Sequence, residues 1–278
     1  MIRPYRAALL GALSVLALSS TSVHAAALQT IVLASTTSVE NSGLLAHILP
    51  QFTKETGIEV HVIAQGTGQA LATAAHGDAD LVLVHDPDAE AKFMAAGHGL
   101  SREEIAWNDF IIVGPRSDPA RIMGTRDTVA ALKAIYAAKT PFVSRGDQSG
   151  TDALEKRLWK AAGLDPAAAG GGWYRDIGGG MGAALNAAAA MGAYTLSDRG
   201  TWLSFGNKGD MQVEVQGDPR LLNCYDVILL NPKTHPEAKQ SAAQQFATWL
   251  ASPEGQAAIA SYTIAGQRLF HPESDPKP

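Results

Sequence analysis

The chain has 278 residues, with 22 Lys+Arg against 27 Asp+Glu, 18% charged and 46% hydrophobic residues, a balance that excludes disordered, collagen-like and coiled-coil classes. A formal net charge of −5, with no block of Lys or Arg, argues against a nucleic-acid binder, because phosphate-backbone affinity needs a clustered basic surface. The length serves one large domain or two lobes of about a hundred residues each, and any anion bound here must be bound locally.

Residues 1–25 read as an export signal. Arg3 and Arg6 make a basic start, Ala7 to Leu18 is apolar apart from Ser14, and Val23-His24-Ala25 offers a small-residue cleavage pattern. The apolar stretch is too short to span a bilayer, which takes about 20 residues. The mature protein is expected to start near Ala26. Cys224 is the sole cysteine, so no intramolecular disulfide forms and no lipid-attachment cysteine stands at the cleavage point. An exported, unanchored chain suggests the periplasm. Cys224 itself reads as a small hydrophobe, not a nucleophile.

Strand, polar loop and helix then alternate. Thr30 to Ala34 is an apolar strand entering Ser35-Thr36-Thr37-Ser38. Leu44, Leu45, Ile48, Leu49 and Phe52 recur at helical spacing up to Gly57, with Pro50 as an expected kink. Ile58 to Ala64 is a strand, followed by Gly66-Thr67-Gly68-Gln69 and an Ala-rich helix. Leu81 to Val84 and Phe110 to Val113 are further strands, the second ending in the turn signal Gly114-Pro115. Thr128 to Ala138 reads as a helix, Pro141 to Ser144 as a strand and Gly150 to Ala162 as a helix. The run Gly178 to Gly182 opens a helix from Ala183 to Met191, with Gly192 as its C′ residue. Ala193 to Leu196 and Val227 to Leu230 are strands, and the tail from Ala238 to Leu250 and from Glu254 to Ala265 is helical. Such alternation points to an α/β fold with mainly parallel sheets flanked by helices.

Ligands of open α/β sheets bind at the carboxyl ends of strands, where loops lead into helix N-termini. This chain places its hydroxyls and glycines at those loops: Ser35, Thr36, Thr37 and Ser38 after one strand, Thr67 between glycines after another, and Ser149-Gly150-Thr151 after a third. Hydroxyls and unpaired helix N–H groups both donate to a small oxygen-rich anion. For one cluster alone, ordinary helix capping is the preferred explanation. Three such loops in one chain favour a shared site.

Arg145, at a strand end in Ser144-Arg145-Gly146-Asp147, is placed either to give charge-assisted bonds to an oxyanion or to pair with Asp147. Arg199 has the same ambiguity, and its structural reading is preferred. Catalysis has little support: the histidines show no metal spacing, no nucleophile elbow or Walker lysine occurs, and Gly66-Thr67-Gly68 is followed by Leu71 at the third glycine position of a dinucleotide fingerprint. His85-Asp86 is the one pair that could serve as a base with its orienter, although a turn at Asp86-Pro87 accounts for it. The five tryptophans are widely spread and read as packing residues.

Four segments carry a family resemblance: Ser35-Thr36-Thr37-Ser38 with Glu40-Asn41-Ser42-Gly43-Leu44-Leu45, Gly66-Thr67-Gly68-Gln69-Ala70-Leu71, Ser144-Arg145-Gly146-Asp147-Gln148-Ser149-Gly150-Thr151 and Tyr194-Thr195-Leu196-Ser197-Asp198-Arg199-Gly200-Thr201. In this order they resemble the periplasmic tungstate-binding proteins of ABC importers, the TupA type, from about Thr30 to Phe270. One departure is Ser35, where the family more often has Thr. The resemblance implies a two-lobed type II periplasmic binding protein fold that closes over the anion. Residues 26–109 and 225–278 would form lobe 1 and residues 110–224 lobe 2, with Phe110 to Val113 and Tyr225 to Leu230 as the crossing strands.

It also implies an oxyanion site made by Ser35, Thr36, Thr37, Ser38, Thr67, Gly68, Arg145, Ser149, Gly150 and Thr151, with a further backbone donor from Gly178 to Gly182. The implied ligand is tungstate, with molybdate as alternative and sulfate or phosphate behind it. The implied partner is an inner-membrane permease; no cofactor, resident metal or nucleic acid is expected, and the protein is expected to be monomeric. An anion-sensing receptor partner and an enzyme on the same scaffold are the other classes.

Overall fold

The computed structural model describes residues 29–277; the expected signal segment lies outside the described residues. Strand β1 (Gln29–Thr36) pairs in parallel with β2 (Ile58–Gln65) and with β3 (Leu81–Val84). All four residues of β3 are buried apolar side chains, as a strand covered on both faces requires. Helices α1 (Thr37–Asn41), α2 (Leu44–Thr56), α3 (Thr67–Ala75) and α4 (Pro87–Ala95) fill the connections. Helix α2 runs on through Pro50 and ends at Gly57, whose left-handed φ of 71° makes a glycine cap.

The next strand departs most from the sequence expectation. β4 spans Gly99–Pro115, far longer than Phe110 to Val113. Its first half contains the charged run Arg102-Glu103-Glu104, which hides the strand from an apolar-run reading. That half pairs antiparallel with β9 (Leu222–Leu230), up to Asp109 opposite Leu222. From Phe110 onward β4 pairs instead with β7 (Tyr194–Asp198) and β8 (Met211–Val215). The chain therefore changes strand set within β4, between Asp109 and Phe110.

The second set contains α5 (Thr128–Ala138), β5 (Phe142–Ser144), α6 (Gly150–Ala161), β6 (Tyr174–Asp176), α7 (Met181–Met191), β7, α8 (Arg199–Ser204) and β8. β5 pairs in parallel with β6 and β7. The return passage lies between Val215 and Leu222, ahead of the expected Tyr225 to Leu230, because β9 pairs along its whole length with β3 and β4. Parallel pairs thus occupy the outer strands of each set, and antiparallel pairs gather around β4 and β9. Helices α9 (Gln240–Ala251) and α10 (Pro253–Ser261) return to the first set, followed by the short strands β10 (Thr263–Ile264), β11 (Gln267–Arg268) and β12 (His271–Pro272).

Each set carries apolar packing on both faces. Ile31, Leu33, Phe52, Phe246 and Ile259 pack on one side of the first set, and Val82, Val84, Phe93 and Ile228 on the other. Ile112, Leu132, Phe142 and Trp159 cover one face of the second set, and Ile111, Val143, Leu185 and Trp202 the other. All five tryptophans of the chain are at most 7% exposed, in line with a packing role. The strand ends of the two sets, and so their loops, lie on either side of one cleft.

Candidate oxyanion site

A cavity of about 700 Å³ opens between the strand ends of the two sets, within the usual range for small-ligand sites. The starts of α3, α6 and α7 lie on it. Helix α3 is capped by Gly66 and α7 by Gly180, neither with a side-chain cap bond. Helix α6 is capped by Ser149, whose Oγ accepts from the Asp152 N–H at 3.3 Å. Such starts leave N–H groups unpaired and carry partial positive charge, so they draw an anion without a basic surface. A β-carbon built on Gly66, Gly68, Gly180 or Gly182 would meet nothing within 4 Å. These glycines leave room for a ligand to approach the backbone.

Nine of the expected residues line this cavity: Thr36, Thr37, Ser38, Thr67, Gly68, Arg145, Ser149, Gly150 and Thr151. Ser35, expected among them, does not line the cavity. It belongs to β1, is fully buried, and its Oγ donates to the Leu83 carbonyl of the neighbouring strand at 2.8 Å. Its hydroxyl is spent inside the sheet. The next residue, Thr36, caps α1 by accepting from the Val39 N–H at 3.2 Å, so the hydroxyl run divides at the strand–helix junction. Of the Gly178 to Gly182 run, Gly180 and Gly182 reach the cavity.

Both readings of Arg145 meet in one geometry. Its Nε donates to Asp147 Oδ2 at 3.1 Å, its Nη2 bonds the same oxygen, and its Nη1 donates to Thr151 Oγ1 at 3.2 Å. Burial would raise the Asp147 carboxyl, but hydrogen bonds from Ser149 and Arg145 outweigh it and hold the group below its ordinary range. The guanidinium is thereby fixed at the cavity wall. Gly146 bends the chain at a φ of 59°, and a β-carbon there would overlap the Asp176 carboxylate. Another residue there would be strained by this backbone conformation and would have to displace the Asp176 carboxylate.

Arg199 is structural. It holds Asp109 by two bonds of 2.6 Å and reaches Gln216 at 3.0 Å. It lines a separate cavity of about 650 Å³, with Trp107, Arg126, Glu214 and His271, which includes none of the helix starts named above.

Behind the cleft lies a polar group of which the sequence reading singled out only His85, as a possible base, and missed Asn108, Asn223 and Tyr225. His85, Asn108, Asn223 and Tyr225 all line the cavity. Asn223 Nδ2 donates to Asn108 Oδ1 at 2.8 Å and to the Tyr225 hydroxyl at 2.7 Å. Asn223 Oδ1 lies 3.0 Å from His85 Nδ1, and His85 Nε2 lies 2.9 Å from Ser38 Oγ and 3.2 Å from Thr36 Oγ1. Burial lowers the His85 pKa, against the raising effects of the Asn223 bond and of the Asp86 and Asp198 carboxylates. Asp86 does not orient His85: its carboxylate caps α4 through the Asp88 and Ala89 N–H groups, each at 3.2 Å. A signal was present in the polar pair Asn108-Asp109, just ahead of the apolar run Phe110 to Val113, and in Asn223, directly after Leu221-Leu222.

Comparison with known proteins agrees with this architecture. Residues 21–254 match the family described as PBP superfamily domain. A tungstate-binding protein TupA from Peptoclostridium acidaminophilum is 44% identical over 248 residues, 88% of this chain and 86% of the relative. The solved tungstate-binding protein TupA from Desulfovibrio alaskensis G20 is 41% identical with a TM-score of 0.84, covering 89% of this chain and all of that one. The solved tungstate ABC transporter structure from Geobacter sulfurreducens is 43% identical with a TM-score of 0.72, covering 84% of this chain and 98% of that one. The two-lobed α/β architecture, the cleft of helix starts and these likenesses over most of the chain agree: this chain belongs to the PBP superfamily, in the TupA family, with the type II periplasmic binding protein fold.

Proposed function

We propose that this protein captures tungstate in the periplasm and delivers it to an ABC importer permease. The observation that carries the reading is the convergence of the α3, α6 and α7 starts from both strand sets, with the hydroxyls of Thr36, Thr37, Ser38, Thr67, Ser149 and Thr151 and the fixed guanidinium of Arg145, on one cavity. A tetrahedral dianion accepts hydrogen bonds on every side, and this lining is rich in donors. Membership in a family whose relatives are named for tungstate binding supports the choice of ligand.

In this proposal residues 29–109 with 222–277 form one lobe and residues 110–215 the other, the return boundary lying ahead of the expected 225 because β9 pairs with β4 from Leu222 onward. Hinge closure, the usual motion of periplasmic binding proteins, brings the α3 and α1 side against the α6 and α7 side. The closed form is then what the permease reads. The role is binding without turnover: Asp86 is committed to capping α4, so it does not orient His85 as a base. The N-terminal signal reading supports the periplasmic location.

Calorimetric titration of the anion-free protein with tungstate, molybdate, sulfate and phosphate tests the reading. Nanomolar tungstate binding, equivalent to about 12 kcal/mol, with weaker molybdate, is the expected result. Equal affinity for both would make the protein a general receptor for the two metal oxyanions. Binding of sulfate or phosphate alone would overturn the assignment.

A further inference from the structure

We propose that oxyanion capture takes up one proton at His85, which becomes the second cation of the site. The inference rests on the oxyanion reading above and adds to it a residue, a charge state and a direction of pH dependence.

The first argument is charge. Among the described lining residues Arg145 is the one Lys or Arg, and Asp147 already neutralises it. Asp86 and Asp198 also line the cavity. A dianion therefore enters a site whose side chains supply no surplus positive charge. Helix starts offset part of this, and a neighbouring group able to gain a proton near neutrality offsets more. Histidine is the side chain suited to that change.

The second argument is hydrogen-bond direction. Both hydrogens of Asn223 Nδ2 are committed, to Asn108 Oδ1 and the Tyr225 hydroxyl. Its Oδ1 is then the acceptor facing His85 at 3.0 Å, so the proton of the neutral imidazole sits on Nδ1 and Nε2 presents a lone pair. That lone pair takes the Ser38 hydroxyl hydrogen at 2.9 Å. In this state Ser38 does not donate to an anion. A proton on Nε2 reverses the bond: the imidazolium donates to Ser38 Oγ, and the Ser38 hydrogen turns to the cavity. Thr36 Oγ1 lies 2.9 Å from Ser38 Oγ and 3.2 Å from Nε2, so it shares in the same reversal. One proton from solvent adds both a charge and a donor.

The surroundings allow this. Asp86 follows His85 in the loop after β3, and Asp198 caps α8 from the end of β7 through the Thr201 N–H at 2.7 Å. Both carboxylates favour the imidazolium, whereas burial opposes it. The Tyr225 ring of β9 lies 4.9 Å from the imidazole, centroid to centroid. On the α6 side a β-carbon at Gly150 would lie 3.7 Å from His85 Cε1, with the Arg145–Asp147 pair beyond it. The imidazole therefore sits where the two sides of the cleft meet, and an anion held at the start of α6 is beside it.

The test is titration of the anion-free protein with micromolar tungstate at about pH 7 in buffers of different ionisation enthalpy, repeated across about pH 6 to 9. The expected result is proton uptake that approaches one per anion at the acid end. Affinity should fall by up to about tenfold per pH unit between the anion-free and anion-bound His85 pKa values. His85→Gln should bind more weakly and lose both effects. Tungstate binding with buffer-independent heat, or uptake that persists in H85Q, would overturn the proposal while leaving the function intact. Absence of tungstate binding would remove the functional reading and this inference with it.

Discussion

Arg199 and Asp109 are joined by two 2.6 Å hydrogen bonds at the point where β4 passes from one strand set to the other. The same guanidinium reaches Gln216 on the return passage at 3.0 Å, so one side chain ties both connections between the strand sets. Both partners are mostly buried, with side chains 23% and 14% exposed, and an ion pair so placed loses much when one member is removed. Asp109→Ala should lower unfolding stability by about 3 kcal/mol, read by urea denaturation. A change below about 0.5 kcal/mol, the ordinary surface range, would contradict this structural role.

Arg145 makes a second case. Its removal deletes a charged donor and also leaves Asp147 unneutralised at the cavity wall. Arg145→Ala should weaken tungstate binding by about 1.5 to 3 kcal/mol, or roughly ten- to a hundredfold. The double variant Arg145→Ala with Asp147→Asn should recover part of that loss. Calorimetry on both variants checks the pair; unchanged affinity in the single variant would make Arg145 a structural residue only.

Gly146 is constrained on two counts, its left-handed φ of 59° and the Asp176 carboxylate against its Cα. Gly146→Ala should cost about 1 kcal/mol for the backbone alone, and more for the displaced Asp176. It should also weaken binding, because the turn carries Arg145 and Asp147. Thermal unfolding and tungstate titration of the same variant measure both effects, and a fully stable, fully active variant would disprove the constraint.

Glu155 governs a pH effect on stability. Burial pushes its carboxyl up to about 7, against bonds from Tyr174 and Trp159. The folded state therefore holds this proton at pH values where the unfolded chain has released it. Stability from Glu155 is complete below its unfolded value and is lost as pH rises towards about 7, at up to about 1.4 kcal/mol per pH unit. Glu155→Gln should flatten that fall in urea unfolding series between pH 5 and 8. An unchanged slope would assign the loss to other groups, Glu90 first, whose burial against Asp226 raises it to about 8.

Much of the molecule was legible in one dimension. Apolar runs such as Leu81 to Val84 announce strands covered on both faces, and Ser149-Gly150-Thr151 and Gly66-Thr67-Gly68 announce helix starts, because strand burial and N-capping are local demands on residue type. The first half of β4 was not legible: Arg102, Glu103 and Glu104 extend as strand because β9 pairs with them, a decision made by a partner more than a hundred residues away.

The site divides in the same way. The kinds of donor, hydroxyls, glycine-freed amides and one guanidinium, were determined by the sequence at the loops where they occur. Which of them face the cavity was decided only in three dimensions. Ser35 and Thr36 are adjacent hydroxyls, yet one is spent on the Leu83 carbonyl of a paired strand and the other lines the cavity. His85, Asn108 and Asn223 lie far apart in sequence and join because β3, β4 and β9 are neighbours in the sheet. Hydrogen-bond direction among them follows from that packing: a donor or acceptor has one role only once its partner is fixed beside it.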